Sequence, residues 1–118
     1  MTGLVALLAL LFLGLALNFL FNPLTAGAQF GVVPDGIVGL NTLRGDLGGL
    51  FLACSVMLLV GMVRAERLWY LAVAGIMAAI ALGRLLGFVM DGFAGNNLPA
   101  FVAEIVFIAI LATAYRQS

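Results

Sequence analysis

The sequence predicts an all-α integral membrane protein, a four-transmembrane-helix antiparallel bundle built as one domain over residues 1–118. Three observations predict it. The chain is 65% hydrophobic and 8% charged, whereas soluble domains carry about 25% charged residues. A soluble domain of 118 residues has too little interior to hide that much apolar surface. Four apolar runs, roughly residues 4–21, 47–63, 68–90 and 98–115, each approach the ~20 residues needed to cross a bilayer. Helices are the open-ended element that satisfies its own backbone in lipid.

The first run ends near Asn18 and Asn22, four apart and so on one helix face. A secretory signal is the competing reading, because Ala26-Gly27-Ala28 has the small-residue pattern of a cleavage site. Against it, the opening MTGLV has no positive side chain, and the run exceeds the usual apolar length of about 7–15 residues. A retained span is therefore expected. The link over residues 22–42 is fairly apolar, and structureless loops beyond ~12–15 residues are uncommon in compact domains. It is expected to fold back as a short interfacial helix or re-entrant cap, with Pro34-Asp35-Gly36 as a turn. The second run opens on NTLRGDLGGLF, where opposite charges stand among glycines. VRAERLWY is a tight link to the third run, as between antiparallel neighbours. DGFAGNNLP leads into the fourth, with Pro99 placed for a first helical turn, where its missing N–H costs nothing.

Arginine placement predicts orientation. Arg64 and Arg67 lie in the second link and Arg116 follows the fourth run. In a four-span chain these places share a side with the N-terminus, and the positive-inside rule makes that side cytoplasmic. Trp69, Tyr70 and Tyr115 fall at the same level, where amphipathic rings favour the interface. Small residues at four-residue spacing let membrane helices approach. Gly75, Ala79, Gly83 and Gly87 form such a stripe, and Gly45 and Gly49 make a single step, with Gly48 beside them. The stripe is expected to be a packing seam, against a neighbour within the chain or a second copy.

With that orientation, Asn41, Arg44, Asp46, Arg84, Asp91 and Glu104 gather in the outer half. Arg84 and Asp91 are nearly two turns apart on one face, and Glu104 lies at a depth comparable to that of Arg84. Arg84 and Glu104 are too costly to face lipid and are expected to pair or to line a wet cavity. Arg44 and Asp46 are expected at the rim of a site whose deeper members are Arg84, Asp91 and Glu104. Asp46 also suits the first turn of a helix.

Other chemistries lack their residues. With no histidine and a single cysteine, ordinary zinc, haem or iron–sulfur ligation is excluded. No cofactor or metal is expected. Lone Cys54 cannot form an internal disulfide. There is no lysine for a P-loop, and GDLGG is not a dinucleotide fingerprint. A net charge of +0 offers no basic face to nucleic acid. Cys54 and Ser55 read as packing rather than as nucleophiles, and the five methionines and nine phenylalanines as bundle filling.

The stretches N-T-L-R-G-D-L-G-G-L-F-L-A at residues 41–53 and G-R-L-L-G-F-V-M-D-G at residues 83–92, then Pro99 and Glu104, carry a resemblance. The chain resembles, over nearly its whole length, a family of small bacterial membrane proteins known as domain of unknown function 4345. A looser similarity to DoxX-like four-helix proteins adds only general membrane character. The resemblance implies architecture and a bacterial cytoplasmic membrane, not an activity. The leading functional expectation is non-enzymatic: binding, or helping to move, a small ligand or lipid through an outward-facing polar pocket. A structural or accessory subunit of a larger membrane complex is the alternative. A membrane enzyme using Asp91 or Glu104 as acid or base is the third. The expected partners are the lipid bilayer, a small-molecule or lipid ligand, and a second copy or other subunit.

Overall fold

The structure is a computed structural model that describes residues 2–92 and 95–117. It is all-α, and four of its helical stretches are long and apolar enough to cross a membrane. In chain order the helices are α1 (Thr2–Phe21), α2 (Pro23–Gln29), α3 (Gly36–Thr42), α4 (Gly49–Val63), α5 (Leu68–Met90) and α6 (Leu98–Gln117). A π-helical segment, Leu43–Gly48, joins α3 to α4 without a break, so the second span runs over Gly36–Val63. The chain divides into two compact units, residues 6–59 and residues 60–118 with 1–5.

In the 6–59 unit, α1 runs antiparallel to the π segment and α4. The sequence dictates the facing stripe. Leu8, Ala9, Phe12, Ala16 and Phe19 recur at three- and four-residue spacing and are buried, the pattern of one helix face. Phe12 stacks on Phe51 with ring centroids 6.0 Å apart. Phe19 meets Phe51 at 5.9 Å and Phe30 at 5.5 Å. Such aromatic pairs contribute about 0.5–1.5 kcal/mol each beyond simple burial, so these rings set the register rather than merely filling space. Lower down, Ser55 Oγ donates to the Ala9 carbonyl at 2.8 Å. Ser55 and Cys54 are both buried in this packing.

The expected link over residues 22–42 does fold into a short helix, α2. It closes with a left-handed cap. Gly31 has φ +74°, Val32 N–H donates to the Gly27 carbonyl at 2.8 Å, and Gly31 N–H to the Ala28 carbonyl at 3.1 Å. Both bonds satisfy carbonyls that a helix end leaves orphaned. The chain reverses at Phe30-Gly31, and the expected Pro34-Asp35-Gly36 site bends as well, with Gly36 at φ +64° and Asp35 as the N-terminal flank of α3.

The second span starts at Gly36, eleven residues before the expected Leu47. Arg44 and Asp46 interrupt the apolar run and set the expected start, but the backbone stays helical through both in the π segment. Leu43 and Gly48 are its buried residues, five apart, whereas α-helical neighbours on one face are three or four apart. The wider turn makes Gly48, not the Gly45–Gly49 step, the point of closest approach. A Cβ on Gly48 would lie 2.9 Å from Leu20 Cδ2 and 3.4 Å from the Leu20 backbone nitrogen, while Gly45 and Gly49 have nothing within 4 Å.

In the 60–118 unit, α5 and α6 run antiparallel. Val73, Ala74, Met77 and Ala81 on α5 and Glu104, Leu111 and Ala114 on α6 are their buried stripes. The link from α4 is a second left-handed cap, with Ala65 at φ 54° and Glu66 N–H donating to the Gly61 carbonyl at 3.0 Å. The chain doubles back so tightly that a Cβ on Gly61 would stand 3.0 Å from Trp69 Cβ and 3.2 Å from the Glu66 carbonyl oxygen. Between α5 and α6 the expected short turn contains a 3-10 turn, Gly95–Asn97. Phe93 and Ala94 of that stretch lie outside the described residues. Pro99 takes the predicted place in the first turn of α6.

The glycine stripe of α5 forms no close contact. Among the described residues nothing lies within 4 Å of where a Cβ would stand on Gly75, Gly83 or Gly87, and Ala79 is exposed. The expected seam within the chain is therefore corrected to an open face. The buried face of α5 is instead the stripe of Val73, Ala74, Met77 and Ala81.

Candidate polar site on the α5–α6 hairpin

The buried stripe of α5 continues at the same spacing from Ala81 to Arg84 and Phe88, and that of α6 runs back from Leu111 to Glu104 and Phe101. Arg84 lies six residues before the end of α5 and Glu104 six after the start of α6, about 9 Å in each case at ~1.5 Å per residue. The two meet: Arg84 Nε–H donates to Glu104 Oε1, and the groups form an ion pair. Of the two acids within reach of Arg84 from sequence, Asp91 on its own face and Glu104 at similar depth, Glu104 is the partner.

The pair is asymmetric. The Arg84 side chain is 25% exposed and that of Glu104 8%. Glu104 Oε2 is buried and has no hydrogen-bond partner among the described residues. Buried polar atoms are nearly always bonded, and an exception calls for an explanation. Arg84 engages through Nε, which leaves the N–H groups of both terminal nitrogens for other acceptors. One turn nearer the α5–α6 link, Phe88 and Phe101 meet edge to face, with centroids 5.8 Å apart and planes at 71°. This apolar contact flanks the pair.

At the opposite end of the hairpin the basic and aromatic residues brace one another. The Arg67 guanidinium lies 4.7 Å from the centre of the Tyr115 ring, and its Nη1 donates to the Tyr115 carbonyl at 3.4 Å. Trp69 Nε1 donates to Glu66 Oε2 at 2.9 Å. The Arg67–Tyr115 contacts hold the start of α5 against the end of α6, while Trp69–Glu66 braces the link into α5.

The other expected site residues have different surroundings. Asp91 is the exposed C-terminal flank of α5 and makes no salt bridge among the described residues. Arg44 belongs to the 6–59 unit, where its Nη1 donates to the Leu20 carbonyl near the end of α1. A cation there satisfies an orphaned carbonyl and complements the negative end of the helix dipole. Arg44 thus acts first as a helix cap, a role not foreseen from sequence. Asp46 stands in the π segment rather than in the first turn of an α-helix, and it is exposed, as is Asn41. π turns recur at functional sites, but Asp46 makes no salt bridge among the described residues. Among the described residues, no group of three or more His, Cys, Asp or Glu could hold a metal ion.

The arrangement can therefore accept one hydrogen bond at Glu104 and donate several from Arg84, within helices that are otherwise apolar. Comparison with known proteins adds a family. No curated protein and no solved structure matches the chain. The family model described as Domain of unknown function (DUF4345) matches residues 1–115, and the chain belongs to that family.

Proposed function

We propose that this membrane protein binds, or helps to move, a small ligand or lipid at the Arg84–Glu104 pair. The observation that carries the reading is the unpartnered Oε2 of Glu104. Placing a charge in mid-bilayer costs about 2.5–3.5 kcal/mol on insertion scales. A pair that served only to pin α5 to α6 would recover most stability by bonding both carboxylate oxygens. This one leaves a buried acceptor open. In our reading the chain sits in a bacterial cytoplasmic membrane with both termini inside, as Arg64, Arg67 and Arg116 favour. The pair then lies in the outer half.

The test is gentle detergent extraction followed by native mass spectrometry of wild type, Arg84→Met and Glu104→Gln. A bound amphiphile or small molecule on the wild type, reduced in both variants while helicity and monodispersity persist, is the expected result. Wild-type protein free of any such species would sink the proposal and leave a structural ion pair.

A second reading, an accessory subunit or a homo-oligomer, is favoured by the open stripe of Gly75, Ala79, Gly83 and Gly87. Small residues on an open face suit another helix. The same spectra count subunits and would show it.

A further inference from the structure

We propose that the group recognised at this pair is an uncharged hydroxyl carried on an otherwise apolar molecule, an inference that rests on the ligand-binding reading above. Three features narrow the chemistry. Glu104 Oε2 accepts hydrogen bonds and has no donor among the described residues, so the ligand must donate; an ether or ester cannot. Arg84 and Glu104 already cancel each other's charge, so an added ion would remain unneutralised in an apolar setting. An ammonium would satisfy Oε2 but stand against the Arg84 guanidinium. A carboxylate or phosphate would satisfy Arg84 but stand against Oε2. A hydroxyl donates one hydrogen bond to Oε2 and accepts one from the free N–H groups of Arg84.

The surroundings say which phase the ligand arrives from. Leu85, beside Arg84, and Ile105, beside Glu104, are exposed apolar residues on membrane-spanning helices. Phe88 and Phe101 flank the pair. Glu104 is only 6% exposed, so a neighbouring side chain must turn aside to admit the hydroxyl. An amphiphile dissolved in the bilayer meets these conditions better than a polar solute from water.

The test compares three probes on purified full-length protein in one detergent: a short-chain diacylglycerol, its O-methyl ether, and the matching phosphatidic acid. The diacylglycerol is expected to bind roughly tenfold to a hundredfold more tightly than the ether, the factor for one hydrogen bond to a charged group. Phosphatidic acid should bind no better than the ether. In Glu104→Gln the amide N–H replaces the accepting oxygen, and the hydroxyl-to-ether ratio should fall to about one. The wild-type ratio does not depend on whether that variant folds. Equal binding of alcohol and ether overturns the inference but leaves the ligand-binding reading standing. So does an Arg84-dependent preference for phosphatidic acid. If no probe binds, the headgroup of the copurifying amphiphile decides, and one without a hydroxyl overturns the inference. No binding and no copurifying species overturns both.

Discussion

Removing Arg84 should harm the fold more than removing its partner, and removing both should harm it less than the two losses added. In Arg84→Met the Glu104 carboxylate, 6% exposed, is left with neither oxygen bonded. An uncompensated buried charge of that kind costs about 3–5 kcal/mol. Glu104→Gln keeps the volume and an acceptor for Arg84 Nε–H. The Arg84 side chain, 25% exposed, can snorkel along α5 towards the interface near the helix end, so the loss is about 1–2 kcal/mol. The singles then sum to about 4–7 kcal/mol. The double variant buries no charge and retains one amide that can satisfy itself only partly, costing about 1–3 kcal/mol. The cycle should therefore show about 1–6 kcal/mol of coupling. The assay is denaturant unfolding in a fixed detergent, followed by the fluorescence of Trp69, the only tryptophan. Residues that do not interact add within about 0.5 kcal/mol. Coupling below that limit would refute the pair as an energetic unit.

Ala65 at φ 54° sits in a conformation costing a non-glycine residue about 1–2 kcal/mol. After glycine's extra unfolded-state freedom is subtracted, Ala65→Gly should stabilise the protein by about 0.5–1 kcal/mol in the same unfolding assay. Gly48→Ala and Gly61→Ala put a Cβ into Leu20 and Trp69 and should each destabilise by about 1–3 kcal/mol. Gly83→Ala meets nothing within 4 Å and should be neutral or stabilising by up to ~1 kcal/mol through helix propensity; a strong loss would mean that a second copy fills the stripe. For topology, single cysteines at positions 29, 65 and 96 in a Cys54→Ala background, labelled on intact cells with an impermeant reagent, should react at 29 and 96. Reaction at 65 alone would invert the orientation.

Composition and run length by themselves determined that the chain is helical and spans a membrane. Bilayer thickness and backbone satisfaction leave few alternatives, and α5 begins and ends where hydropathy places it. Equal depth from two helix ends likewise made the meeting of Arg84 and Glu104 legible, because opposite charges in an apolar hairpin have nowhere better to go. The glycines were not legible in the same way. A small residue permits contact but does not produce it, so Gly75, Gly83 and Gly87 stand open while Gly48 and Gly61 are pressed. Which glycine is pressed depends on the π turn at Leu43–Gly48, and a change of helical period leaves no mark on hydropathy. Arg44 was likewise assigned from its charge, yet its partner is the Leu20 carbonyl, a backbone group present at every residue and orphaned only where a helix ends. The open Oε2 of Glu104 also belongs to tertiary structure alone. Whether a carboxylate uses one oxygen or both is set by the angle at which a neighbouring helix presents its donor.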